Sequence, residues 1–158
     1  MDKISVDRLD ATDISILRIL QTDGRLTTKE LAARVARSAT PVYERVRRLE
    51  QEGYIKGYVA ILNPDRLRRG FVVICNVKLR ELCREKADTF VSRIMDIAEV
   101  TECYNVSGKF DYLLKIMAPD MDYYRDFVLN ILGTIDNISA IESTFVMETL
   151  KSGTAIPL

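Results

Sequence analysis

The stretch SATPVYERVRRLEQEGYIKGY, residues 38–58, decides the fold of the N-terminal part of the chain. Ser38 is suited to cap a helix and Pro41 to occupy its first turn, where a missing N–H costs nothing. Gly53 is suited to end the helix. Apolar residues recur at i, i+4 and i+7, which predicts one buried face formed by Val42, Val46 and Leu49.

The opposite face of this predicted helix is polar and basic. Residues 34–48 carry five arginines and one glutamate, a local net charge of +4 in a chain whose formal net charge is zero. A solvated charged face is one interpretation; a helix that meets DNA phosphates is the other, and it is favoured by the neighbouring elements. At about 100° per residue, the outward positions are Thr40, Glu44, Arg47, Arg48 and Gln51.

Helix signals precede the stretch and a hairpin signal follows it. Asp10 precedes an apolar helical pattern that stops at Gly24, and Thr27 with Glu30 matches a capping box. Residues 54–62, YIKGYVAIL, alternate like a hairpin with a Lys-Gly turn. Three short helices followed by a small hairpin predict a winged helix-turn-helix DNA-binding domain over residues 1–60.

The polar residues in and before the predicted recognition helix have different expected roles. Arg47 and Thr40 are expected on the major-groove side, with Tyr43 at its margin. Arg37, Arg45 and Arg48 are expected to contact phosphates, which sets affinity and salt dependence rather than sequence choice. The predicted DNA-binding set is Arg37, Ser38, Thr40, Tyr43, Arg45, Arg47 and Arg48.

The chain changes character after a linker at residues 61–70. Strand-like and helix-like periods alternate over residues 71–158 in the order βαββαβ, with one hairpin turn at Gly108. This order predicts a ferredoxin-like sandwich, so the whole chain is expected to be an α+β protein. The final strand is expected to span ISAIESTFVMETL, residues 138–150.

The predicted sheet has apolar residues on both faces. In the first strand Val73, Cys75 and Val77 point to one side, and Val72 and Ile74 point to the other. Two helices cover only one face of such a sheet, so the second face requires another subunit. A homodimer with further assembly is therefore predicted.

Composition excludes several classes of function. The chain has no histidine, which lowers the expectation of acid–base catalysis and metal binding. Its three cysteines form no CxxC pair and are expected to be reduced. No signal peptide or membrane span is expected, and neither is a metal or cofactor, so we predict a cytoplasmic protein that is not an enzyme.

The chain resembles the Lrp/AsnC family of feast/famine transcriptional regulators. The matching stretches are LDATDISILRILQTDGRLTTKELA, RSATPVYERVRRLEQEGYIKGYVAILNP, VSGKFDYLLK, PDMDYYR and VMETLK. The resemblance implies a double-stranded DNA partner, dimers that build tetramers or octamers, and a free amino acid effector bound between dimers.

The resemblance also implies an effector region, carried by a Gly-x-aromatic-Asp element that begins at Gly108. Asp111 would accept the ligand's ammonium group, and the amides near Ser107 would hold its carboxylate. An ordinary hairpin turn is the alternative interpretation. The implied effector residues are Asn105, Ser107, Gly108, Phe110, Asp111, Met121, Thr144 and Val146, with Phe145 nearby.

Some residues depart from what the resemblance implies. Asn105 and Thr144 stand where leucine-responsive relatives are expected to have larger apolar side chains, and Lys109 adds a positive charge. Leucine is therefore not indicated as the ligand. Two other functions stay open: a ligand-independent architectural nucleoid protein, and a sirohaem-decarboxylase-like enzyme, against which the absence of histidine argues.

Overall fold

The computed structural model describes residues 9–158, which form two compact units. The first comprises the described residues up to Ile61 together with the tail Lys151–Leu158, and the second is Leu62–Leu150. The tail was expected in the C-terminal domain, but it joins the first unit. The Nε of Arg18 donates to the backbone oxygen of Leu158 at 3.1 Å, which helps to hold the tail there.

Three helices build the first unit, and the capping box predicted at Thr27 forms. The side chain of Asp10 accepts from the amide of Asp13, and that of Thr27 accepts from the amide of Glu30, each within a reciprocal capping box. Ser38 is the N-cap of the third helix but makes no side-chain capping bond. The helices are α1 Ala11–Leu20, α2 Thr28–Arg34 and α3 Ala39–Gln51.

The core of the first unit fixes α3 against the other two helices. Val42 and Leu49 of α3 are fully buried, and Val46 is half-buried beside them. Burying each such side chain contributes about 1.5–3 kcal/mol. The remaining buried apolar residues of this core are Ile16, Leu17, Leu31 and Ala32.

The hairpin expected over residues 54–62 is wrong, because this segment contains no strand. An isolated two-stranded hairpin is only marginally stable in water, and this segment instead packs against the helices. The Tyr58 hydroxyl donates to the carboxylate of Glu50 at 3.0 Å, and its ring lies 3.1 Å from where a Cβ on Gly24 would stand. Burial and the Glu50 carboxylate together raise the pKa of Tyr58 to about 12.

The second unit has the predicted βαββαβ order. Its four strands form one antiparallel sheet in the order β2-β3-β1-β4. The last strand stops at Phe145, short of the predicted Leu150, because only the amide of Val146 continues the pairing, to the oxygen of Val72. The elements are β1 Phe71–Leu79, α4 Arg84–Met95, β2 Val100–Asn105, β3 Tyr112–Ala118, α5 Met121–Asn130 and β4 Ile138–Phe145.

The two faces of the sheet are buried to different extents. Val73, Cys75 and Val77 of β1 are fully buried under the helices, where Phe90 of α4 and Phe127 of α5 pack. The opposite residues of β1 are only half-buried, as are alternate residues of β3. Among the described residues no helix is both long and apolar enough to cross a membrane.

Candidate DNA interface and effector site

The outward face of α3 is exposed as predicted, except at Arg48, which is half-buried. Thr40, Tyr43, Glu44 and Arg47 all lie on the solvent side of the helix, and 51% of Tyr43 is accessible. Within residues 9–158, Arg47 makes no ion pair and no side-chain hydrogen bond. A guanidinium in this state is available for bidentate bonding to a base or phosphate.

Arg45 and Arg48 have a different environment from Arg47. Arg45 Nη1 donates to Asp13 Oδ1 at 2.8 Å and to Asp10 Oδ2 at 2.6 Å. Arg48 Nη2 donates to Asp13 Oδ2 at 2.5 Å. Both guanidinium groups are thus engaged inside the first unit, which differs from the phosphate role predicted for them.

Asp13 is the residue that sequence reasoning missed. Its side chain is only 1% exposed, although it is charged. A sequence signal did exist, because Asp13 stands three and four residues before the buried Ile16 and Leu17 and therefore falls on the apolar face of α1. The amide of Asp13 and the guanidinium of Arg45 lower the pKa of Asp10, the neighbouring cap residue.

The start of α3 and the end of α2 carry the other basic residues. Arg37 is exposed, and its only side-chain bond in the described chain is a 3.4 Å contact to the oxygen of Ala36. Arg34 lies 3.8 Å from Asp23, which is a loose surface pair. Ser38 is exposed and its hydroxyl makes no capping bond. Arg37, Ser38, Thr40, Tyr43 and Arg47 therefore form one free polar surface, which we call the α3 surface.

The β2–β3 connection presents unpaired backbone donors. The amide of Val106 bonds to the oxygen of Asp111, and the amide of Asp111 bonds to the oxygen of Val77. Between them, the amides of residues 107–110 donate to no acceptor in the described chain. Gly108 has φ +116°, a conformation that favours glycine. Successive free amides in a turn form a concave site for an anion such as a carboxylate.

Asp111 is committed to its own chain. The side chain is buried, and its oxygens accept from the Leu79 amide at 2.8 Å and from Lys78 Nζ at 3.0 Å. Both bonds lower the pKa of Asp111, and the bond from the Leu79 amide has the larger effect. The carboxylate therefore closes the base of the turn, which favours the interpretation of Asp111 as a structural turn residue over its expected role as acceptor for a ligand's ammonium group.

The side chains around the turn are polar and partly exposed. Lys109 Nζ lies 4.9 Å from the centre of the Phe110 ring and 3.4 Å from Glu142 Oε2. The side-chain amide of Asn105 donates to the oxygen of Asp111 at 2.9 Å. Asn105, Ser107 and Gly108 are exposed, and Phe110 is half-buried. These residues form one group, the turn group, with Asp111 beneath it.

The remaining predicted effector residues lie elsewhere on the same unit. Met121 opens α5 just after β3 ends at Ala118, whereas the turn group precedes the start of β3 at Tyr112. The amide of Val146 bonds to Val72, at the opposite end of β1 from Asp111. Thr144 pairs with Ile74, which is two residues closer to the Asp111 end of β1. Within one chain, the length of β3 separates the turn group from Met121, whereas Thr144 stands two residues from Glu142, which Lys109 contacts.

The two units together define a class of protein. One carries a helix-turn-helix with an exposed basic helix, and the other is a ferredoxin-like sandwich whose β2–β3 turn has unpaired backbone amides. That combination is typical of a DNA-binding regulator with a separate ligand-binding domain. Family models agree: a winged helix-turn-helix DNA-binding domain matches residues 9–56, and the Lrp/AsnC ligand binding domain matches residues 72–156. The chain belongs to the Lrp/AsnC family of DNA-binding transcriptional regulators.

Regulators of other bacteria are similar to this chain over most of its length. The leucine-responsive regulatory protein of Escherichia coli K12 is 41% identical over 143 residues, which cover 90% of this chain and 87% of that protein. The Bkd operon transcriptional regulator of Pseudomonas aeruginosa is 38% identical over 150 residues, covering 95% and 98%. These relatives are named as regulators rather than enzymes.

Solved structures are similar over nearly the full length. A transcriptional regulator of Neisseria meningitidis, in complex with L-Met, matches with a TM-score of 0.91 and 35% identity, covering 94% of this chain and 96% of that one. An AsnC family regulator of Agrobacterium tumefaciens matches with a TM-score of 0.90 and 34% identity, covering 94% and 97%. The predicted family and fold class are therefore confirmed.

Proposed function

We propose that the α3 surface reads double-stranded DNA, with Arg47 and Thr40 at base edges in the major groove and Tyr43 at the margin. Arg37 and Ser38 contact the phosphate backbone at the entry to the helix. The free state of Arg47 supports this assignment, because an arginine without an acidic partner retains its full set of donors. Such a protein acts in the cytoplasm, where the DNA is.

We further propose that the second unit binds a free amino acid. The four free amides of residues 107–110 hold the ligand's carboxylate, and Lys109 adds a positive charge beside them. Because Asp111 is occupied by Lys78 and Leu79, the ligand's ammonium group pairs with another acceptor. The Neisseria meningitidis regulator was solved with L-Met, so methionine is the first amino acid to test.

The effector site is completed by assembly. The half-buried face of β1 and β3, on which Val72, Ile74, Leu113 and Met117 are apolar, pairs two chains into a dimer, and dimers join into a tetramer or octamer. The turn group of one chain then meets Met121, Thr144 and Val146 of another, since the length of β3 separates the turn from Met121 within one chain. A ligand at such a junction favours one assembly state over another and thereby changes DNA binding.

A thermal-unfolding panel against the twenty amino acids tests the effector proposal. A ligand that binds only the native state stabilises it by RT ln(1 + [L]/Kd), about 2.7 kcal/mol at a hundredfold excess over Kd. We expect a selective rise in Tm that Ser107→Asp abolishes, because a carboxylate beside the free amides repels the ligand's carboxylate. Ser92→Asp, on the exposed side of α4, is the matched control and should retain the rise.

The ligand-independent architectural function is the second candidate. The observation in its favour is the closed state of Asp111, which leaves the turn without the expected ammonium acceptor. A flat panel for the native protein, on DNA as well as free, would support this candidate and contradict amino acid sensing.

A further inference from the structure

Asp13 is a buried carboxylate that two arginines of α3 share. Its Oδ1 accepts from Arg45 at 2.8 Å, and its Oδ2 accepts from Arg48 at 2.5 Å and from the amide of Asp10 at 3.1 Å. Each oxygen of the carboxylate is therefore bonded. A buried carboxylate is tolerated only when it is paired and hydrogen-bonded, so the role of Asp13 lies in the groups that it binds.

The network cancels charge on the helix that faces DNA. Asp10 adds a second carboxylate to Arg45 at 2.6 Å, so two acidic and two basic side chains neutralise each other. Arg48 Nε is buried without a hydrogen-bond partner in the described chain. An unpaired buried donor is costly, so the position of Arg48 depends on the bond that its Nη2 donates to Asp13.

Neither arginine is sealed inside: helical spacing places Arg48 at one flank of the α3 surface and turns Arg45 toward the start of α1. Their side chains are 32% and 41% exposed, and they flank the free Arg47 in sequence. A long arginine released from Asp13 can extend into solvent next to the DNA-facing residues. Phosphate contacts of this kind supply most of the affinity for DNA of any sequence.

We propose that Asp13 determines specificity by position: it holds Arg45 and Arg48 off the DNA backbone, so that non-specific affinity stays low and α3 keeps one orientation. This inference rests on the proposed role of α3 in DNA binding. The ratio of specific to non-specific affinity decides occupancy among many competing sites, so two withheld phosphate contacts matter more than their effect on Kd alone.

Asp13→Asn tests this proposal in the full-length protein, because the amide keeps the shape and removes the charge. We would measure affinity for a random-sequence duplex, and for a duplex selected by the native protein, from 50 to 200 mM salt. Each new phosphate contact steepens the slope of log affinity against log salt by about 0.9. We expect a steeper slope, severalfold tighter binding to the random duplex and a smaller specificity ratio.

A second pair of variants keeps the proposal testable if Asp13→Asn does not fold. In the native background, Arg45→Gln should leave the salt slope unchanged, whereas Arg37→Ala should flatten it by about 0.9. An unchanged slope and ratio in folded Asp13→Asn, or a flattened slope in Arg45→Gln, would overturn the proposal. Failure of the native protein to prefer any sequence would instead contradict the proposed function, so the two failures are distinguishable.

Discussion

Gly108 and Met121 lie beyond opposite ends of β3, the first before Tyr112 and the second after Ala118. Six residue steps of extended strand separate those ends by roughly 20 Å. A single amino acid ligand cannot span that length. If both residues contact one ligand, they must belong to different chains.

Mixed assemblies test this requirement. Ser107→Asp disables the turn group and Met121→Asp disables the group of Met121, Thr144 and Val146, so each variant alone should lose the ligand-induced rise in Tm. Refolding an equal mixture should restore binding at about a quarter of the sites, where each half comes from the other variant. Titration calorimetry would measure the restored sites; no restoration would show that the two groups do not share a ligand.

Gly108 should be required for the shape of the turn. Its φ of +116° is one that side chains with a Cβ rarely adopt, although nothing lies within 4 Å of an added Cβ. Gly108→Ala is therefore expected to destabilise the protein by about 1–3 kcal/mol through backbone strain alone. Gly57→Ala, which also has open space but no positive φ, should change the free energy of unfolding by less than about 0.5 kcal/mol. Equal effects in denaturant titrations would contradict the assigned strain.

Asp111 should make stability depend on acid. Because its native pKa lies below the ordinary 3.8, its ionised form stabilises the fold fully above that value. This stabilisation is lost as pH falls through the depressed native pKa. Asp111→Asn is expected to be destabilised at pH 7, with a deficit that shrinks as pH falls below about 3.8. Urea unfolding across pH would show this, and the exposed Asp136→Asn should track the native protein throughout.

The three cysteines should differ in reactivity. Burial raises the pKa of Cys75 to about 11, so almost no thiolate is present at pH 8. Cys83 is exposed and Cys103 is half-buried. A thiol reagent at pH 8 should label Cys83 fastest and Cys75 only on unfolding, and Cys83→Ser should remove the fast phase. Rapid labelling of Cys75 in the folded protein would contradict the burial of β1.

Local signals predicted most of the architecture. The capping box at Thr27 was predicted because it depends on two residues three positions apart; the box at Asp10, whose partner is Asp13 rather than Glu or Gln, was not predicted. The βαββαβ order likewise follows from alternation and helical stripes. The prediction of a hairpin over residues 54–62 was wrong, because alternation shows that a segment is compatible with a strand, not that a partner strand pairs with it.

The site was less predictable because its decisive contacts are long-range. Arg45 and Arg48 have the same basic character as Arg47 in the sequence, and only a carboxylate 32 and 35 residues away separates their roles. The commitment of Asp111 depends in the same way on Lys78, 33 residues earlier. Helical geometry places a side chain on a face but does not reveal its partner across the fold.

The most direct test of the central claim is the effect of Arg47→Ala on sequence-preferring DNA binding. The target would be the duplex that the native protein enriches from a random pool, and fluorescence anisotropy would give its affinity beside that of a scrambled duplex. Arg84→Ala is the matched control, because that arginine is highly exposed on the second unit. We expect Arg47→Ala to lose about 1–3 kcal/mol on the selected duplex and much less on the scrambled one. Unchanged affinity and preference in Arg47→Ala would contradict the account of α3 as the helix that reads DNA.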